Sequence, residues 1–416
     1  MTVSQTDLIS LTRDKQVFIW GAMIVGQGVC RSLERIGIKV EAFIDSSPSL
    51  QNKMALGYPI FPPDFAFEAV RLKKAIIIIS SGHYDFEIEG ICKDNGFSEG
   101  IDYILSRSFN CIDPSIDIVG HCNLRCISCP RGNEIIQPPK GYIDVVIYKN
   151  ILEKLLKEIP LLGSIQLYAW GEPLLHPKLP EIITLTREKK VLCAISSNLN
   201  CSKNLENVIK AKPDWFKVSC SGWGKNYELT HTGGKWDIFI TNLKRLVMLR
   251  SDFHPEMQIV VNYHLYKNNI DEDYSKMEEL CNSLSLIFRP TPAYLYPADT
   301  IMDLIDGKTI SENASKTIPL LLMSVEEGIA RARKRASLPC PEERCLPINW
   351  DCRVRTCGIY FRSFIVDNFL HTPLSEILEK KRKSSLCIEC KKRGIHQFTS
   401  VYLVEKKIKA KNRKYE

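Results

Sequence analysis

Short apolar runs alternate with helical patterns through most of the chain. Val17–Trp20 is apolar and stops at Gly21, which predicts a buried strand. A helical pattern follows over about 26–36. Val40–Ile44 predicts a second strand, ending at Asp45, and the purely aliphatic Ala75–Ile79 a third. Strands separated by helices imply a parallel sheet with helices on its faces. From Ser115 the rhythm resumes. Strands are expected at Ser115–Val119, Ser164–Tyr168, Val191–Ser196, Trp215–Ser219, Gln258–His264 and Leu286–Arg289, with helices over Tyr148–Ile159 and Leu179–Lys189. That period predicts six β/α units forming an open, partial barrel, whose chemistry gathers at the C-terminal ends of the strands. Short strands around Pro347–Thr356 and a helix at Leu374–Lys383 follow.

The expected fold class is therefore α/β. A small Rossmann-like parallel-sheet domain (1–110) precedes a partial (β/α)6 TIM-like barrel core (111–305). A cysteine-rich α+β domain (306–397) and a basic tail (398–416) follow. The first turn, Gly21-Ala-Met-Ile-Val-Gly26-Gln-Gly28, is glycine-rich but misses the strict dinucleotide fingerprint. Asp45 stands where a ribose-binding acid would sit. A nucleotide-sugar cradle and a purely structural tight turn are both open readings of this segment.

Composition adds constraints. The chain has 416 residues, enough to bury a large core without disulfides, yet it carries 16 cysteines. The first residues are polar and no apolar run approaches a membrane span, so a cytoplasmic location is expected. There thiols stay reduced, and clustered cysteines read as metal ligands. The net charge of +8 owes much to Lys406, Lys407, Lys409, Lys411, Arg413 and Lys414. This reads as a solvated terminus rather than a nucleic-acid site.

Cys122, Cys126 and Cys129 fall in one eight-residue loop after the Ser115 strand. Iron–sulfur clusters are held by closely spaced thiolates, normally four. Three local ligands leave one iron open to a substrate, as catalytic zinc sites keep one position free. His121 is poorly spaced to complete a structural zinc site.

This CxxxCxxC loop resembles the signature of the radical S-adenosylmethionine superfamily, and the likeness extends from Ser115 to about Arg289. Gly171-Glu172-Pro173 is similar to the element that holds the cofactor's methionine amino group, with Trp170 in place of its first glycine. Ser197-Asn198 resembles the ribose-contacting element. The Lys217–Gly222 stretch, with Ser219 and Ser221, resembles the segment lining the methionine carboxylate and substrate. Ser128 departs from the aromatic residue common beside adenine. The resemblance implies a [4Fe–4S] cluster, cleavage of S-adenosylmethionine to a 5′-deoxyadenosyl radical, hydrogen abstraction from a substrate, and a flavodoxin- or ferredoxin-type electron donor.

Cys345, Cys357, Cys387 and Cys390 form a second, spread set, with Cys340 able to replace Cys345. Zinc also fits this spacing. The surrounding residues resemble the SPASM/twitch extension of radical enzymes, which implies one auxiliary [4Fe–4S] cluster. An epimerase needs a hydrogen-atom donor, and Cys220 and Cys352 are positional candidates. Cys352 stands where the resembling family usually has glycine. Cys30, Cys92, Cys193, Cys201 and Cys281 fit apolar patterns.

The expected substrate is a small molecule, a sugar or nucleotide-linked sugar, undergoing oxidation or epimerisation. A peptide is the alternative, although no winged helix for peptide recognition is evident. Cobalamin chemistry lacks its Asp-x-His-x-x-Gly pattern in residues 1–110. A non-catalytic redox scaffold is a further alternative. It would have no use for the cofactor-binding elements.

Overall fold

The computed structural model describes residues 3–48, 50–81, 84–109, 112–134 and 137–404. The expected basic cluster from Lys406 onward and Cys111 lie outside the described residues. Two compact units emerge, one of residues 1–113, 149–165 and 185–193, the other of 114–148, 166–184 and 194–416. No described helix is long and apolar enough to cross a membrane.

The first unit is built on six strands: β1 (Gln16–Trp20), β2 (Ala42–Ile44), β3 (Met54–Ala55), β4 (Tyr58–Phe61), β5 (Ala75–Ile79) and β6 (Tyr103–Leu105). Their order is β3-β4-β2-β1-β5-β6, parallel except for the β3–β4 hairpin. Alternate residues enter two separate cores. Val17, Ile19, Ile76 and Ile78 join one, while Phe18, Trp20, Ile77 and Ile79 join the other. A sheet covered on both faces needs continuous rather than alternating apolar runs, which is how β1 and β5 read.

The glycine-rich turn serves the chain itself. Gly21 has φ +117°, and a Cβ there would stand 2.4 Å from the Ser80 carbonyl oxygen. Only glycine combines that backbone with that approach. Asp45 accepts the Ala22 N–H at 2.9 Å and the Ser47 N–H at 2.8 Å. These two bonds give Asp45 a part in closing the turn.

The second unit carries a nine-stranded sheet: β7 (Asp113–Asp117), β8 (Ser164–Gln166), β9 (Leu192–Ser197), β10 (Trp215–Cys220), β11 (Gln258–Leu265), β12 (Ile287–Pro292), β13 (Cys345–Asn349), β14 (Val354–Arg355) and β15 (Phe364–Val366). The order is β12-β11-β10-β9-β8-β7-β13-β14-β15. The first six strands follow in sequence, with parallel pairs β7–β8, β9–β10, β10–β11 and β11–β12. Helices such as Leu205–Lys210, Trp236–Phe253 and Glu272–Ser283 fall between successive strands. Right-handed crossovers in one direction put helices on one face of such a sheet. The C-terminal strands extend it beyond β7. A separate apolar core gathers Tyr266, Leu295, Ile301, Phe398 and Tyr402 with Cys357 and Cys390.

Candidate active site

The cysteine loop leaves β7 and is fixed by its backbone. Gly120 N–H donates to Gly141 O at 2.8 Å and Ile143 N–H to Ile118 O at 3.0 Å. Further on, Arg125 N–H reaches Thr232 O, and Ile127 N–H reaches Thr230 O. Cys129 caps the short helix Pro130–Asn133, whose first residue is proline, the residue preset for a helix start. A loop held mainly through main-chain groups keeps its shape while its side chains stay available for chemistry.

Cys122, Cys126 and Cys129 are all free thiols. Burial pushes Cys122 up to about 12, reinforced by Glu172. Cys126 lies well above the usual thiol range through burial, with Cys129 and Cys122 adding to it. Cys129 is raised by burial and opposed by Arg131 and Arg125. Three half-buried thiols that resist ionisation alone become thiolates when a cationic centre shares their charge. Two donors already face sulfur: Leu124 N–H at 3.4 Å and Asn198 Nδ2 at 3.5 Å, both to Cys122 Sγ. Among the described residues, no three His, Cys, Asp or Glu side chains converge as ligands of a single ion would. A cubane binds each thiolate through a different iron, so its sulfurs need not meet at one point. The soft donor set and its amide neighbours fit such a cluster.

The end of β8 is fastened to this loop. Gly171 N–H donates to Asp117 Oδ1 at 3.0 Å, and Glu172 N–H to His121 O at 3.0 Å. A Cβ at Gly171 would stand 1.8 Å from Val119 O, so no side chain fits there. Glu172 is fully buried. Its Oε1 accepts Leu174 N–H at 3.0 Å and its Oε2 accepts Asn198 N–H at 2.9 Å. Burial nevertheless pushes this carboxyl up to about 7 against those amides. Pro173 opens the short 3-10 turn that follows. Asn198 completes the connection, donating from Nδ2 to Asn123 Oδ1 at 2.9 Å as well as facing Cys122. The Ser197 hydroxyl joins them, donating to the Glu172 carboxylate while accepting Leu199 N–H at 3.0 Å. Of the expected cofactor contacts, Gly171, Glu172 and Asn198 therefore meet the cysteine loop directly.

Ser219 and Ser221 lie at the end of β10. Ser221 Oγ stands 3.3 Å from His264 Nδ1. Burial depresses His264 to about 4 and His231 to about 3, so both rings are neutral near pH 7. Cys220 has the opposite parity on the strand. It is fully buried, and its neighbours include Cys281 and Asp273 from the Glu272–Ser283 helix. The Tyr227 hydroxyl senses both Cys220 and Cys126 of the loop. Cys352 occupies the tight turn between β13 and β14 with φ +66°. That left-handed backbone accounts for the glycine expected at this position.

The second cysteine group gathers with one addition. Cys357 senses Glu342, Lys381 and Cys345; Cys390 senses Tyr360, Cys340 and Cys387. Tyr360 in turn feels both Cys390 and Cys357. Cys340 therefore sits beside Cys387 and Cys390 rather than only standing in for Cys345. Lys381 Nζ donates to the carbonyls of Glu342 and Cys345, tying the 341–345 turn to the Leu374–Lys383 helix.

Several residues near the loop carried no sequence signal. Asp117 and Arg131 are buried, with Oδ2 and Nη2 3.9 Å apart. Arg355, from β14, is also buried and adds its charge to the same carboxylate. Arg131 and Arg355 both pack on Phe361, at 5.3 and 4.9 Å. Trp170 lies against Tyr296 at 5.0 Å and Phe361 at 5.8 Å, which gives the large residue at this position an aromatic seat. The Tyr266 hydroxyl faces Ser128. This tyrosine follows β11 and takes up space behind the loop where Ser128 is small. An acid inside the apolar β7 pattern was the one available hint, at Asp117.

No protein-family model matches the chain. It is 33% identical over 103 residues, 24% of its length, to the 7,8-dihydro-6-hydroxymethylpterin dimethyltransferase of Methanocaldococcus jannaschii. The match spans 19% of that relative's length. Among solved structures, it is similar to BtrN in complex with AdoMet and 2-DOIA, at 16% identity and TM-score 0.38, covering 68% of this chain and 87% of that one. It is also similar to anSMEcpe with bound AdoMet, at 13% identity and TM-score 0.44, covering 67% and 82%. Streptococcus suis SuiB bound to S-adenosylmethionine gives 13% identity and TM-score 0.45, covering 74% and 73%.

Proposed function

We propose that this chain is a radical S-adenosylmethionine enzyme with an open (β/α)6 core, acting on a sugar or nucleotide-linked sugar by oxidation or epimerisation. The observation that carries the reading is the Cys122–Cys126–Cys129 loop, three neighbouring half-buried thiols joined through Asn198 and Glu172 to the ends of β8 and β9. Cys122, Cys126 and Cys129 would hold a [4Fe–4S] cluster, which would supply the one-electron reducing chemistry for cleaving S-adenosylmethionine.

The chain's own residues do the rest. The main-chain anchors of the loop hold the three thiols in place, and Asn198 donates to Cys122 Sγ. Buried Arg131 favours negative charge at Cys129 and Cys122. Glu172 gathers two backbone amides and so fixes the β8 and β9 loops beside the cysteines. The residues Gly171–Pro173, Ser197, Asn198, Ser219 and Ser221 are assigned to the cofactor. Cys345, Cys357, Cys387 and Cys390, with Cys340 able to replace Cys345, are assigned to a single auxiliary cluster, which would accept or relay electrons.

Anaerobic reconstitution with iron, sulfide, dithionite and S-adenosylmethionine tests the reading. The expected product is 5′-deoxyadenosine, absent from a Cys126→Ala variant. Cleavage that survives Cys126→Ala would remove the cluster assignment.

A further inference from the structure

Strands β10, β11 and β12 present two unlike faces. The register aligns Ser219 with Asn262, and Asn262 with Arg289. Residues directly opposite in a parallel pair point to the same side, so these three form one row across the sheet. Lys217, two residues before Ser219, shares that side. The intervening Val218, Cys220 and Tyr263 are fully buried, and Cys220 has Cys281 of a crossover helix among its neighbours. The Ser219–Asn262–Arg289 side is therefore the helix-free face. Its residues are only partly buried, and Arg289 is exposed.

The chemistry of that face is one-sided. It carries two cations, Lys217 and Arg289, with hydroxyl and amide groups between them. Among the described residues neither cation forms an ion pair. Lys217 Nζ rests 5.2 Å from the Tyr168 ring centre, and the Tyr168 hydroxyl is buried without a hydrogen-bond partner. Paired with carboxylates, these residues would read as structural. Unpaired, in mid-strand on a face that Val260 and Ile287 share with them, they match what an anion needs: a point charge from lysine and a planar fork of donors from arginine. Asn262 between them can satisfy a sugar hydroxyl.

We infer that the helix-free face of β10–β12 is the substrate cradle and takes a phosphate-bearing, hydroxyl-rich small molecule, with its anionic group between Lys217 and Arg289. This rests on the radical enzyme reading above and narrows its substrate class. The competing role for the two cations is to hold the cofactor's carboxylate.

The test uses the full-length, anaerobically reconstituted protein saturated with S-adenosylmethionine. It is titrated calorimetrically with UDP-glucose, inorganic pyrophosphate and glucose. Both charged probes should bind saturably, and glucose at least about tenfold more weakly. Lys217→Met and Arg289→Ala should each weaken UDP-glucose by about tenfold or more, with Arg289→Ala holding S-adenosylmethionine affinity within about twofold and Arg289→Lys partly retaining binding. Glucose binding as tightly as UDP-glucose would overturn the inference. So would silence from both charged probes, or parallel loss of S-adenosylmethionine in Arg289→Ala. If 5′-deoxyadenosine still forms in those cases, only the cradle falls. A wild-type protein that neither binds nor cleaves S-adenosylmethionine takes both readings down.

Discussion

Asn198 Nδ2 stands 3.5 Å from Cys122 Sγ, while the same residue's backbone N–H donates to Glu172 Oε2 at 2.9 Å. One residue at the end of β9 thus serves the cysteine loop and the buried carboxylate together. The two functions separate chemically. Side-chain removal takes away the sulfur contact and leaves the main-chain bond to Glu172.

Asn198→Ala should therefore still fold and bind its iron less well. Loss of an outer partner of a metal ligand typically costs about 10–100-fold in affinity or activity. The expected result is a lowered thermal midpoint before reconstitution, because the bonds to Asn123 and Asn200 go too, with reduced iron retention during gel filtration and slower 5′-deoxyadenosine formation. Full iron retention and normal rates would mean that the Asn198 contact is incidental.

The C-terminal cysteines give a second prediction. With one cluster in each cysteine group, the reconstituted protein should carry about eight irons per chain, and Cys357→Ala about four. The remaining signal should still respond to S-adenosylmethionine in electron paramagnetic resonance. Cys340→Ala should also lower the auxiliary iron content, because Cys340 sits with Cys387 and Cys390. Zinc in place of the missing iron in purified protein would replace the auxiliary cluster with a structural zinc site.

Acid sensitivity follows from the buried histidines. His231 stacks on Tyr227 at 4.4 Å, and its Nδ1 lies 3.1 Å from Thr230 Oγ1. Burial lowers it from 6.5 to about 3, with neighbouring His264 adding to the effect. Between those values the unfolded chain takes up a proton that the folded chain refuses. Stability associated with neutral His231 is thus present above pH 6.5 and lost as pH falls toward 3. The loss by pH 5 is about 2 kcal/mol for one such group. His231→Gln should be less stable at pH 7 but lose less than wild type on going to pH 5, as measured by urea unfolding of the apoprotein. Equal losses would show that His231 is not the titrating group.

What could be read in the sequence divides along physical lines. The aliphatic β5 run, the β10 and β11 strands and the cysteine loop are local signals, because period, composition and spacing specify them without distant partners. Parity on β10 was also legible: Lys217 and Ser219 share one face, so Cys220 must face the other. The Asp45 reading placed the acid at the right strand end. Its partners, the Ala22 and Ser47 amides, are set by turn geometry that composition does not encode. Arg355 and Trp350 were invisible for another reason. Each acts on residues more than 200 positions earlier, and only the pairing of β13 beside β7 brings them there.

Trp350 gives the sharpest test of that long-range packing. A Cβ on Gly120 would stand 2.1 Å from Trp350 Nε1, and one on Gly141 would stand 2.2 Å from its ring. The indole therefore lies on two glycines that hydrogen-bond to each other two residues before Cys122. Gly120→Ala forces the ring or the loop to move, and overpacking of this kind costs about 1–3 kcal/mol. Trp350→Ala removes the contact and leaves a gap, at about 3 kcal/mol or more where the space does not collapse. If the two positions act through one contact, their effects must be strongly non-additive. Gly120→Ala in the Trp350→Ala background should cost little further stability, because the clash has gone. Iron retention should follow the same pattern, lowest in the Gly120→Ala single variant. Additive losses in urea unfolding would mean that Trp350 does not seat the cysteine loop.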